Sequence, residues 1–130
     1  MKTNSLSRAE RLRTLGAIRR LFESGEGGFV YPLRYLYFAE SDTEHSVRVL
    51  FSVPKRYHKR ANKRNLLRRR TKEAYRLNRY LLTADRPLSI DLALIYSSKE
   101  PADYRRIEHA LRKILKSITE KISEHGADAE

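Results

Sequence analysis

The stretch 55–79, KRYHKRANKRNLLRRRTKEAYRLNR, constrains this chain most, because it must be surface and core at once. It holds twelve Lys or Arg against one acid, Glu73, so nearly all of the net charge of +12 lies in this segment. From Ala61 onward the periodicity predicts a helix. Turned at about 100° per residue, Leu66, Leu67, Ala74, Leu77 and Leu81 share one arc, as a core-facing stripe does. Arg64, Asn65, Arg68, Arg69, Lys72, Tyr75, Arg76 and Arg79 fall on the other side. One face is then fixed to a core while the other offers guanidiniums at roughly 5–6 Å spacing. Like charges with no acids at i+4 repel one another in water, and a phosphate backbone relieves that repulsion. Arg70 points into the apolar arc and must snorkel or find a partner.

Composition bounds the rest. A chain of 130 residues reads as one domain, 1–130, facing a nucleic acid, with residues 1–13 partly flexible. The absence of cysteine removes disulfides and Cys-based zinc sites and suits a reducing cytosol, so a cytoplasmic location is expected. No apolar run approaches the roughly 18 residues that span a bilayer. The N-terminus MKTNSLSRAERLR lacks the apolar core of a signal peptide. The apolar arc of the basic helix carries Leu and Ala rather than Trp or Phe, which suits a protein core better than lipid.

Along the chain, Ser7-Arg8-Ala9-Glu10 has capping-box spacing. A helix is predicted from about Thr14 to Ser24, stopped by Gly25. Strands are predicted around Phe29–Tyr31, at Leu33–Ala39 and at Val47–Val53, the last two joined as a hairpin through the polar segment 40–45. The strand at 33–39 is apolar on both faces and asks for two covers, or one cover and a ligand. Pro54 ends the next strand, and a loop over 54–60 leads to the basic helix. Leu88–Ser97 alternates as a strand, and Pro101 opens a last helix running to about Glu124. Its stripe is Tyr104, Ile107, Leu111, Ile114, Leu115, Ile118 and Ile122. The order α-β-β-β-α-β-α gives an α/β (α+β) sandwich, one sheet of about four strands with three helices.

The run K-R-N-L-L-R-R-R-T-K-E-A-Y-R, with S-V-P-K-R about ten residues upstream, resembles the protein subunit of bacterial ribonuclease P. That family opens a basic helix with Arg-Asn-Arg. Arg64-Asn65 match its first two positions and Leu66 replaces the second Arg, with Arg68, Arg69 and Lys72 in register. The resemblance implies a left-handed βαβ crossover, which no spacing in the sequence shows. It also implies a non-catalytic subunit of a ribonucleoprotein endoribonuclease, in which the RNA subunit hydrolyses the phosphodiester with Mg2+ held mainly by RNA and substrate and none bound tightly by the protein alone. The implied partners are the catalytic RNA, in a 1:1 ribonucleoprotein, and precursor tRNA, with no membrane.

The residues agree with a protein that does no chemistry of its own. Histidines 45, 58, 109 and 125 are scattered, and no metalloprotease, Walker or dinucleotide motif occurs. Asp91 reads as a strand-edge residue and Asp103 as a helix-N-terminal one. His58 suits either RNA contact or a solvated loop. RNA docking is assigned to Lys55, Arg56, Lys59, Arg60, Lys63, Arg64, Asn65, Arg68, Arg69, Lys72 and Arg76. By resemblance, a cleft between the first helix and the sheet takes the single-stranded 5′ leader of precursor tRNA, with Ile18, Phe22, Tyr35 and Tyr37 as its floor. The same aromatics at these spacings equally suit a core. Stacking gives roughly 1–3 kcal/mol per base and tolerates any base. A ribosomal RNA-binding protein is the alternative, because it explains the basic helix but gives the cleft no task. A DNA-groove reader fits less well, since guanidiniums spread over several turns neutralise backbone more than they read bases.

Overall fold

The computed structural model describes residues 11–12 and 14–128, with side chains as far as Ser123. The capping-box spacing at 7–10 lies outside the described residues. The elements are α1 (Leu15–Ser24), β1 (Glu26–Val30), β2 (Leu33–Ser41), β3 (Ser46–Ser52), α2 (Ala61–Asn78) with a 3₁₀ turn at Arg79–Leu81, β4 (Leu88–Tyr96) and α3 (Tyr104–Asp128). This is the expected order and the expected α+β sandwich of one four-stranded mixed sheet and three helices. At Gly25 a Cβ would sit 2.4 Å from the Leu21 carbonyl oxygen, so only glycine lets the chain leave α1 straight into β1.

The strands lie in the order β1-β2-β4-β3. β1 and β2 are antiparallel, β2 and β4 are antiparallel, and β3 runs parallel to β4. The predicted hairpin between β2 and β3 is therefore corrected: β4 inserts between them. Leu92, Ala93 and Leu94 are all buried, so β4 is covered on both faces and takes a central place. The polar link 42–45 crosses the end of β4, where the Asp42 amide donates to the Pro87 carbonyl (3.3 Å).

Strand alternation divides the apolar side chains between two layers. Leu33, Tyr35, Val49, Ile90, Leu92 and Leu94 face α2 and α3 and form the main core. Leu36, Phe38, Leu50, Ala93 and Ile95 face α1 and form a smaller cluster with Leu12 and Leu21. The strand that asked for two covers has them. Leu12 is fixed by its amide donating to the Val49 carbonyl (3.0 Å), alongside the outer edge of β3.

The helices follow their stripes with one shift of phase. In α3 every predicted apolar position from Ile107 to Ile122 is buried, and Asp103 caps the helix by accepting from the Arg106 amide (2.9 Å). In α2 the buried residues are Leu67, Thr71, Ala74, Tyr75 and Asn78. That arc is rotated by about 70°, under one residue, from the one expected. Tyr75, expected on the basic face, is buried edge-on to Phe51 (5.9 Å), and Leu77, expected in the core, is 42% exposed. The shift is tolerated because the buried polar groups are satisfied. Thr71 Oγ1 donates to the Leu67 carbonyl (2.9 Å), and Asn78 Nδ2 to Ala74 O (2.8 Å) and Glu108 Oε2 (2.9 Å).

Candidate nucleic-acid interface

The loop between Pro54 and α2 is held from below. His58, expected in solvent or against RNA, is instead buried. Its Nε2–H donates to the Ser98 carbonyl (2.8 Å), and its ring meets Tyr96 edge-on at 5.6 Å. Tyr96 in turn donates to the Glu100 carbonyl and accepts from the Ala102 amide (2.7 Å), and burial pushes its hydroxyl above the usual tyrosine range. Arg64 Nη1 closes the loop by donating to the carbonyls of Lys59 (2.6 Å) and His58 (3.2 Å). The result is a fixed loop on which Lys55, Arg56, Lys59 and Arg60 all point outward. Tyr57, His58, Lys59, Arg60 and Lys63 line a shallow hollow there.

On α2, Lys63, Asn65, Arg69 and Lys72 are exposed, while Arg64, Arg68 and Arg76 are half-buried. Arg68 donates to Asn65 Oδ1 (3.1 Å), and Arg76 Nε donates to Glu73 Oε1 (2.9 Å). The hydrogen bond from Arg76 holds the Glu73 carboxyl below the usual carboxylate range. Arg70 finds the partner it needed, donating to the Ala102 carbonyl (2.8 Å) and tying α2 to the start of α3. All eleven predicted docking residues thus lie on one loop and the helix that follows it. The outward cations number fewer than the sequence pattern suggests.

On the opposite face of the sheet, where the leader cleft is expected, the side chains under α1 differ from those expected. Ile18 is half-buried and Phe22 is 49% exposed on α1. Below α1 lie Leu36, Phe38, Leu50 and Ile95, all half-buried. Tyr35 and Tyr37 are not beside them. They are 5% and 4% exposed, on the α2–α3 side, and the Tyr37 hydroxyl donates to Glu26 Oε2 (2.7 Å). The reason is the period of two: Leu33, Tyr35 and Tyr37 share the face that the main core needs, leaving Leu36 and Phe38 for α1. The parity of Leu50 against Val49 and Phe51 was the available signal.

Asp91, expected at a strand edge, is buried on this face in the centre of the sheet. Its oxygens accept from Arg48 Nε (3.0 Å) and Nη2 (3.2 Å), and Arg20 Nη2 approaches at 3.5 Å. Arg20 also pairs with Glu40 (3.3 Å) and lies over the Phe38 ring at 4.8 Å. The cluster fixes α1 to the sheet by charge where apolar contact is thin.

Comparison with known proteins gives the kinship of the chain. The family model for Ribonuclease P matches residues 6–119. A relative from Porphyromonas gingivalis named ribonuclease P protein component is 40% identical over 119 residues, covering 87% of this chain and 85% of the relative. One of the same name from Chlorobaculum tepidum is 36% identical over 135 residues, covering 90% and 84%. Among solved structures, the RNase P protein of Staphylococcus aureus superposes with a TM-score of 0.69 at 19% identity, over 85% of this chain and 95% of that one. The RNase P protein of Thermotoga maritima gives 0.68 at 24% identity, over 84% and 97%. The two structures carry the likeness of fold, the relatives and the family model carry the kinship, and the chain belongs to the ribonuclease P protein family, the protein components of an RNA-containing tRNA-processing enzyme.

Proposed function

We propose that this chain docks the catalytic RNA of ribonuclease P with one side of its sheet and guides the 5′ leader of precursor tRNA with the other. The carrying observation is the fixed basic loop and the exposed cations of α2, set on the helix that bears the family's Arg-Asn sequence. Lys55, Arg56, Lys59, Arg60, Lys63, Arg69 and Lys72 meet RNA phosphates, with Arg64, Arg68 and Arg76 completing the positive field at shorter reach. Asn65 beside them donates and accepts hydrogen bonds. For the leader, exposed Phe22 and half-buried Ile18 on α1, with Leu36 and Phe38 of β2 beneath α1, offer an apolar and aromatic surface that takes bases without reading them. Tyr35 and Tyr37 support it only as core.

Among the described residues no three His, Cys, Asp or Glu side chains come together as a metal site. The reading assigns Mg2+ to the RNA and the substrate, with none held tightly by the protein alone. The chain's part is to shield phosphate repulsion as RNA and leader approach each other. Among the described residues no helix is long and apolar enough to cross a membrane. The reading places a 1:1 ribonucleoprotein in the cytoplasm.

Salt dependence tests it. With six to eight phosphates neutralised, log affinity for a bacterial ribonuclease P RNA against log salt should fall with a slope of roughly −4 to −7. A slope near −1 would mean that the basic surface meets water rather than RNA.

A further inference from the structure

Outside the stretch 55–79 the charges nearly cancel, and this hides a second segregated surface. On α3, Arg105, His109, Lys113 and Lys116 are exposed and Arg112 is half-buried. At about 100° per residue these five share one arc of roughly 100°, directly opposite the buried stripe of Ile107, Leu111, Ile114 and Ile118. The row extends over about 16 Å and points away from the sheet. Glu120 is the acid at its far end. Asp103 at the near end caps the helix through the Arg106 amide (2.9 Å), and Glu108 is turned toward α2, where it accepts from Asn78 (2.9 Å) and Tyr104 (3.2 Å). Burial, then Glu108, pushes the Tyr104 hydroxyl up to about 12. Arg105, His109, Lys113 and Lys116 have no acidic partner among the described residues. Exposed acids lie off this arc, at Glu23 and Glu26 near the end of α1, at Glu40, Asp42 and Glu44 in the β2–β3 link, and at Glu100 and Asp103 before the start of α3.

α3 runs beside α2 in the same direction. Arg70 meets Ala102, Asn78 meets Glu108 and Arg112, and Thr119 meets Leu81. The two helices form a single layer on one face of the sheet, so both basic rows belong to its outer surface. Two aromatic or apolar groups are exposed near the seam, Leu77 and Tyr80, and the Tyr80 hydroxyl accepts from Arg112 Nη1 (3.3 Å).

We propose that α3 is a second phosphate-binding row, formed by Arg105, Arg112, Lys113 and Lys116, that grips the backbone of the same catalytic RNA that α2 docks. Charge complementarity calls for a polyanion, and position selects which one. The leader cleft lies beneath α1 on the other side of the sheet, so the substrate's leader does not reach α3, whereas an RNA held on α2 lies beside it. The inference rests on the proposed function and extends its docking surface by one helix.

The test uses the full chain, a bacterial ribonuclease P RNA transcript, and precursor and mature tRNA. Arg112 is left in place because it donates to Asn78 Oδ1 (2.7 Å). The triple variant R105Q/K113Q/K116Q should weaken binding to the transcript and make the salt slope shallower by roughly 2–3, nearly one for each phosphate lost. Preference for precursor over mature tRNA should not change. The charge-keeping variant K113R/K116R should retain the parent slope, which separates charge from fold. An unchanged slope in the triple variant overturns the second row, and so does a loss confined to precursor tRNA. The parallel variant K63Q/R69Q/K72Q on α2 keeps the two readings apart. If it is silent as well, the proposed function fails; if only the α3 variant is silent, only this inference does.

Discussion

Under α2 and α3, Leu33, Tyr35, Ile90, Leu92 and Leu94 meet two helices, and the side chains between them are closed to water. Under α1, on the reverse of the same strands, full burial is reached at Leu12, Leu21 and Ala93, while Leu36, Phe38, Leu50 and Ile95 stay half-covered. The first face secures the fold through apolar area. The second substitutes the Arg48–Asp91–Arg20 cluster for some of that area and leaves apolar side chains part-exposed. On the proposed reading, the sheet binds on both sides, with phosphate contacts mounted on the rigid side and base stacking left to the looser one.

Core truncations should expose this difference most strongly. Leu67→Ala, at a fully buried site between α2 and the sheet, should cost about 2–4 kcal/mol in urea melts, whereas Leu36→Ala under α1 should cost about 1–2 kcal/mol. Equal losses would mean that the α1 face is as closed as the other. Asp91→Asn should come next, at about 1–3 kcal/mol, because it strips two guanidiniums of their shared carboxylate. The figure lies below that of a wholly buried pair because Arg48 and Arg20 are partly solvated. If Asp91→Asn melts like the parent, charge does not hold α1. The smallest effect belongs to Glu73 on the outer surface. Its carboxyl is held low by Arg76, so the pair's contribution is present above the ordinary carboxylate range and is lost as pH falls through the lowered value. Glu73→Gln should lower stability slightly at neutral pH and converge with the parent below the lowered value, flattening the acid limb; a difference from the parent confined to acid pH would contradict that assignment.

Much of this was legible in the chain. The heavy charge of 55–79, the stripe of α3 and the alternation of β3 each follow from one local period. What escaped depended on non-local pairing. Nothing near residues 40–45 announces that β4 will enter between β2 and β3, so the hairpin was the natural local reading. The phase of α2 was misplaced because Thr71, Tyr75 and Asn78 count as polar in a pattern, yet all are buried, Tyr75 and Asn78 against distant partners and Thr71 on the Leu67 carbonyl of its own helix. The family resemblance assigns Tyr35 and Tyr37 to the cleft, whereas strand parity gives the face under α1 to Leu36 and Phe38. His58 had no signal at all, since its acceptor, the Ser98 carbonyl, is 40 residues away.

The division of labour between the faces is tested most directly by crossing two variants with two ligands in the reconstituted holoenzyme. Phe22→Ala, on the open face, should weaken precursor tRNA binding by about 1–2 kcal/mol, leaving mature tRNA and affinity for the catalytic RNA unchanged. Arg69→Gln with Lys72→Gln, on the helical face, should weaken the catalytic RNA and leave the precursor-over-mature preference of the assembled enzyme intact. A crossed pattern of losses is the expected result. Parallel losses, with each variant lowering both affinities alike, would contradict the assignment of RNA docking to one face and leader guidance to the other.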